Sequence, residues 1–157
     1  MLPDNLRDQA VAAAVEAFDA DAVVAGKFDR GELTLEIAPA KIVSVSGFLK
    51  YDQKFVRLST VTGVDRYPAE PRFEVVYHLH SIERNQRLRL KCRLPGTDPA
   101  IESVTSVWRS ANWYERETFD LFGIQFRNHP DLRRIMLPDD WVGHPLRKDY
   151  SVTGDRV

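Results

Sequence analysis

Glu115, Glu117 and Asp120 place three carboxylates in one short segment. Carboxylates at such separations are the working groups of acid–base hydrolysis, where one protonates a leaving oxygen and the other attacks or activates water. Acids near a helix start also have a plainer use, as caps and ion-pair partners that suit the helix dipole. The four histidines offer a second chemistry. His78 and His80 share one strand face, His129 and His144 each precede a proline, and neutral imidazole is a good zinc ligand. No third ligand stands at a motif spacing from them, and His-Pro dipeptides commonly shape turns. A third pattern is the alternation of Arg87, Arg89, Lys91 and Arg93 with Leu88, Leu90, Cys92 and Leu94, basic on one face and apolar on the other. That basic face suits phosphates or an acidic partner, or it is the solvated outer face of a half-buried sheet. Cys92 points with the leucines and reads as a small buried hydrophobe.

Positioning these groups takes a sheet and several helices. Leu6, Ala10, Ala13, Ala14, Ala17 and Phe18 recur at helical spacing and predict a first helix over 4–19, capped by Asp4. The segment 32–37 alternates cleanly and sets Leu33, Leu35 and Ile37 on one strand face. Pro39 opens a second helix to about residue 50, with Ile42, Val45 and Leu49 inward, although Gly47 and the valines are poor helix formers. Strands over 55–62, 72–81 and 87–94 follow, the last two joined by a hairpin-sized connection. Then come a helical stretch over 102–109 and a short helix over 113–122. Asn112 caps the latter, with Glu115 returning the bond in a capping box. Gly123 ends it in the left-handed conformation, with Ile124 folded back on the last turn. Glu117 and Asp120 share a face of this helix, beside Trp113 and Arg116.

Beyond the helix, His129-Pro130, Leu137-Pro138 and His144-Pro145 hold the chain extended. Phe126, Ile135, Met136, Leu137, Trp141 and Leu146 make this tail too apolar to stand alone in water, and Arg127, Arg133, Arg134, Arg147 and Lys148 are interleaved among them. Two readings stay open: a surface for an obligate partner, or a strap wrapped back on its own domain. The element order predicts a two-layer α+β domain, its mixed β-sheet covered by helices on one face. Residues 1–110 form its body, and 111–157 its last helix and extended tail.

The chain has 157 residues, 43% hydrophobic and 29% charged, with a formal net charge of −1. The length is that of one domain, about 150 residues, and the composition excludes general disorder. The near-neutral total conceals a split. Residues 1–49 carry four Lys/Arg against eight Asp/Glu, 50–94 ten against five, and 95–157 eight against ten. No apolar run approaches the roughly 18 residues of a spanning helix, and MLPDNLRDQA shows no signal core. The expectation is a cytoplasmic protein that meets the membrane only through partners. The single cysteine excludes an internal disulfide, a thiolate-held iron–sulfur cluster and a Cys-rich zinc site. The glycines form no dinucleotide or phosphate loop, and no GxSxG is present. These absences point to a chain without a cofactor of its own.

The segments ANWYERETFDLFGIQF, NHPDLRRIM and GHPLRKDY, in this order, resemble the signature of the C-subunit family of NADH-quinone oxidoreductase, respiratory complex I. The residues that carry the resemblance are Glu115, Arg116, Glu117, Asp120, Phe122 and Gly123; then His129, Pro130, Asp131, Leu132, Arg133 and Arg134; then Gly143, His144, Pro145, Leu146, Arg147, Lys148 and Asp149. Weaker similarity runs back through 73–77. Asn128 stands where Gly is common in the family, and Tyr150 where Phe is common.

The resemblance implies a cofactor-free core subunit of the peripheral arm of a proton-translocating NADH:quinone oxidoreductase, not itself catalytic. It would pack on the D subunit, beside the quinone-reducing module and among other peripheral-arm subunits. NADH, iron–sulfur clusters and quinone would be held by partner subunits. The complex would be a hetero-oligomer on the cytoplasmic face of the cell membrane, with this chain peripheral and the signature residues at its interface. The same module serves plastid and cyanobacterial complexes, reduced-cofactor dehydrogenases and membrane-bound hydrogenases. From a different class, the alternative is a nucleic-acid-binding module reading through the basic strand. Against it, that strand lacks stacking aromatics, and Phe73 and Tyr77 on its neighbour are candidates for the core.

Overall fold

The computed structural model describes residues 6–151. The elements run α1 (Ala10–Phe18), β1 (Val23–Asp29), β2 (Glu32–Ile37), a 3₁₀ turn (Pro39–Lys41), α2 (Ile42–Tyr51), β3 (Arg57–Asp65), β4 (Phe73–Ser81), β5 (Gln86–Leu94), β6 (Ala100–Glu102), α3 (Ala111–Phe122) and β7 (Gln125–Arg127). Five strands form one mixed sheet in the order β1-β2-β5-β4-β3, in which only β2 and β5 are parallel. The chain is therefore an α+β protein with helices packed on one sheet face, as the element order predicts.

Alternation determines which face is buried. On β5, Leu88, Leu90, Cys92 and Leu94 are buried, while Arg87 and Arg93 are exposed. Leu33, Leu35 and Ile37 of β2 and Val75, Tyr77 and Leu79 of β4 join the same core. Ile42, Val45 and Leu49 of α2 are fully buried against it, as expected. Burial also pushes the Cys92 thiol far up, so it stays a protonated, apolar group.

Several elements differ from the sequence expectations. The first helix begins at Ala10, because a turn over 6–8 precedes it and Gln9 is extended. The Asp4 cap lies outside the described residues. The buried face of α1 is Val11, Ala12 and Val15 rather than the alanine and Phe18 stripe. The alanines give weak contrast between faces, and the larger valines have more area to remove from water. Phe18 instead stacks on Phe48 of α2 at 4.4 Å, half in solvent. The third strand runs to Asp65 rather than 62.

β1 has no counterpart among the sequence expectations. It is an edge strand whose burial does not alternate, so periodicity is silent there. Its signal is the two-residue turn Arg30-Gly31, with φ of 52° and 78°, the twist that tight hairpins need. The stretch 102–109 is not a helix. β6 pairs in parallel with β7, some two dozen residues on, and the chain after it makes a turn closed by Val107 and Trp108 on the Val104 carbonyl.

Candidate functional site

The family-like residues converge on α3 and on the tail that follows it. The first N–H groups of α3 are taken by the preceding turn, Ala111 on Trp108 and Asn112 on Arg109. No side-chain cap is made, and the expected capping box of Asn112 and Glu115 does not form. Asn112 lies inside the helix, and its carbonyl accepts the His129 Nε2–H at 3.1 Å. Glu115 turns inward, with no solvent exposure. It accepts the Ser103 hydroxyl at 2.6 Å and the Val104 N–H at 2.8 Å, pinning the β6–α3 loop. Burial outweighs these two bonds and pushes its carboxyl up to about 7.

Arg116 and Asp120 bind the tail. The Arg116 guanidinium donates to the carbonyls of Arg133 and Arg134, each at 3.1 Å, and lies over the Trp113 ring. Asp120 is fully buried. It accepts Arg134 Nη1 at 2.6 Å and the N–H groups of Ile135, Met136 and Leu137 at 2.7–3.0 Å. Burial opposes its ionisation, but these donors together outweigh it, so the carboxyl stays below its ordinary value. Arg134 also donates to the carbonyls of Trp141 and Gly143, closing the tail into a loop around one guanidinium. Glu117, on the same helix, is half-buried.

The end of α3 receives the rest of the tail. Gly123 sits at φ 73°. A Cβ there would come within 2.6 Å of Arg147 Nη2 and the His144 ring, so only glycine fits. His144 Nδ1 donates to the Asp120 carbonyl at 2.8 Å, Leu146 N–H to Leu121, and Arg147 Nε to Phe122 at 2.6 Å. Three carbonyls at the C-terminus of the helix are thereby satisfied, that of Asp120 also by Arg134. Asp149 closes the strap on Arg72, which also holds Asp65. The Lys148 N–H adds a bond to Asp65. Arg72 holds the Asp65 carboxyl far below its usual range, against the pull of burial. Asn128 has φ 59°, a left-handed conformation that asparagine tolerates, and its amide donates to Glu102. Tyr150 packs its ring against Gly143.

The described residues lay the tail back on its own domain as a strap. Arg134 and Arg147, two of the signature residues, bond this chain's own Asp120 and the Phe122 carbonyl. Arg133 makes only an exposed pair with Asp131. Apolar side chains of α3 and the strap stand exposed, among the equally exposed Asp131, Arg133, Asp139, Asp140 and Lys148. Trp113 and Met136 are each 62% exposed, Val142 and Leu146 also largely so, whereas Leu132 packs against the core.

The hydrolase and zinc geometries are not assembled. Glu115 and Asp120 are sealed from solvent and bind different segments. His129 donates from Nε2 and accepts the Asp131 N–H at Nδ1, so both ring nitrogens are occupied. No group of three or more metal-ligating side chains gathers among the described residues. The basic row on β5 is interleaved with Glu32, Glu36 and Glu74 from neighbouring strands, and Phe73 and Tyr77 are fully buried. The face is of mixed sign, unlike a nucleic-acid track.

Comparison with known proteins agrees with this geometry. A family described as respiratory-chain NADH dehydrogenase, 30 Kd subunit, matches residues 35–156. The NADH-quinone oxidoreductase C subunit of Geobacter sulfurreducens is 54% identical over 126 residues, 80% of this chain and 78% of that one. Its counterpart from Roseiflexus castenholzii is 43% identical over 154 residues, 97% of this chain and 88% of that one. Among solved structures, the trypsin-resistant fragment (1-134) of Nqo5 superposes with a TM-score of 0.67 at 31% identity, covering 78% of this chain and 98% of that one. A chain of the membrane-bound sulfane sulfur reductase, an archaeal respiratory membrane complex, gives 0.76 at 26% identity over 91% of this chain and 85% of that one. No helix among the described residues is long and apolar enough to cross a membrane. The chain belongs to the 30 kDa subunit family of respiratory-chain NADH dehydrogenase, the C subunits of NADH-quinone oxidoreductase, which serve within a multi-subunit, membrane-associated enzyme complex.

Proposed function

We propose that this chain is a cofactor-free scaffold of the peripheral arm of a proton-translocating NADH:quinone oxidoreductase, with no catalytic step of its own. In this reading it packs on the D subunit beside the quinone-reducing module, and NADH, iron–sulfur clusters and quinone are held by partner subunits. It rests on the cytoplasmic face of the membrane through those partners. The observation that carries the reading is the division of labour on α3 and its strap. Arg116, Asp120, Arg134 and Arg147 are spent inside the chain on shaping the strap, while Trp113 of α3 and Met136, Val142 and Leu146 of the strap face outward. Exposed apolar and aromatic side chains among charged neighbours, on a segment held rigid by internal bonds, suit a permanent subunit contact. The likeness to the sulfane sulfur reductase chain supports a second reading, the same scaffold role in a related respiratory membrane complex.

The test is affinity purification of the tagged chain from detergent-solubilised membranes. Large membrane subunits and the D subunit should co-purify, and the electron-donor subunit recovered with them distinguishes the two readings. Recovery of the chain alone, or with RNA or DNA, would overturn both.

A further inference from the structure

The sheet face away from the core is polar. On β5, three of its four cations are matched by acids from neighbouring strands: Arg89 by Glu32 at 2.6 Å, Lys91 by Glu74 at 3.4 Å and Arg93 by Glu36 at 3.1 Å. Arg87 is the exception. It lies directly opposite His80 of β4, and His80 lies directly opposite Arg57 of β3. Both arginines are exposed, and neither has an acid partner among the described residues. The adjacent acid on β2, Glu32, is already bonded to Arg89. No acid stands in this row to balance its two guanidinium groups. The other three cations of β5 each have an acid within 3.4 Å, so the Arg57–His80–Arg87 row stands apart on a face that otherwise balances its own charge.

We infer that the Arg57–His80–Arg87 row is a docking site for an acidic segment of another subunit of the complex. The two arginines flank the histidine across two strand spacings, about 10 Å, room for two or three carboxylates. Each guanidinium is a planar fork that grips a carboxylate at two points. A nucleic-acid backbone fits less well, since its phosphates recur about every 1.7 Å along a duplex and would meet Glu32, Glu36 and Glu74 on the same face. This contact is separate from the strap surface proposed for the D subunit, and rests only on membership of the complex.

The test uses the full chain, tagged and expressed in place of the native copy, with Arg57→Glu and Arg87→Glu together. Recovery of partner subunits should fall by about tenfold or more at physiological salt. The double Gln variant should show a smaller loss. The isolated variant chains should melt close to wild type, because both arginines are exposed and without an acid partner among the described residues. Lys27→Glu, which alters a cation already paired with Asp29, should leave recovery unchanged. Equal recovery of partners by wild type and the Arg57/Arg87 reversal would overturn this inference while leaving the functional proposal intact. Failure of the wild-type chain to recover any partner would overturn both. Retention of RNA or of phosphatidylglycerol vesicles by the wild-type chain, abolished by the reversal, would assign the row to a different anion and overturn the carboxylate reading.

Discussion

Asp120 and Glu115 are both sealed from solvent, yet their surroundings push them in opposite directions. Asp120 is surrounded by one guanidinium and three N–H groups and stays ionised. Its replacement by alanine leaves Arg134, itself little exposed, as an unpaired charge beside three orphaned N–H groups. Asp120→Ala should therefore cost about 3–5 kcal/mol, read as a lower urea midpoint for the isolated chain. Unchanged stability would mean the strap does not depend on this carboxylate. Glu115 has only two neutral donors, and burial dominates. Its folded value lies above the unfolded one, so its contribution is full below pH 4.5 and is lost as the pH rises to about 7. That interval corresponds to about 3 kcal/mol. Burial lowers His78, His129 and His144, and these work the other way across part of that window. The measurable quantity is thus the difference between wild type and Glu115→Gln. The variant should gain on the wild type by about that amount between pH 4.5 and 7, and parallel curves would refute the assignment.

At the scale of elements, α2 carries a correctable flaw. Gly47 sits in the middle of a ten-residue helix, and a Cβ there would meet nothing within 4 Å. Gly47→Ala should stabilise the chain by about 0.5–1 kcal/mol, by restricting the unfolded state and removing a weak helix former. Thermal unfolding should show a rise of a few degrees. Gly63 is the contrasting case: a Cβ there would press on the Phe122 ring at 2.7 Å, where α3 crosses β3. The tail behaves as an element too, although it has almost no regular structure. Several of its backbone groups are satisfied by side chains of α3, by Asp65 of β3 and by one arginine of its own.

For the whole molecule, the domain and its assembly should be separable. Trp113 of α3 and Met136 of the strap are mostly exposed and add little to the core. Trp113→Ala with Met136→Ala should leave the melting temperature of the isolated chain nearly unchanged. If they are central to the proposed subunit contact, the loss should be about 2 kcal/mol or more of association, seen as depleted complex on native gels. Activity per assembled complex should stay near normal. Normal complex abundance with low specific activity would place these residues in the reaction and end the scaffold reading.

Where neighbours along the chain decide the outcome, the sequence alone was sufficient. The alternation in β2 and β5, the inward face of α2, the left-handed Gly123 and the extended, proline-broken tail all follow from local spacing and backbone preference. The signature segments pointed to the family from the same short stretches. Three features were legible only in three dimensions. β6 exists because β7 lies beside it, and no local pattern encodes a parallel pair of three-residue strands. The buried face of α1 was settled by which side chains had partners across the interface. Above all, the partner of each signature charge was undetermined. Arg134 and Arg147 have the composition of an interface, and only the return of the tail across α3 brings Asp120 and the Phe122 carbonyl within reach. Charge type and spacing state what a residue can bind, but which group it binds depends on a chain reversal whose cost and gain are summed over the whole fold.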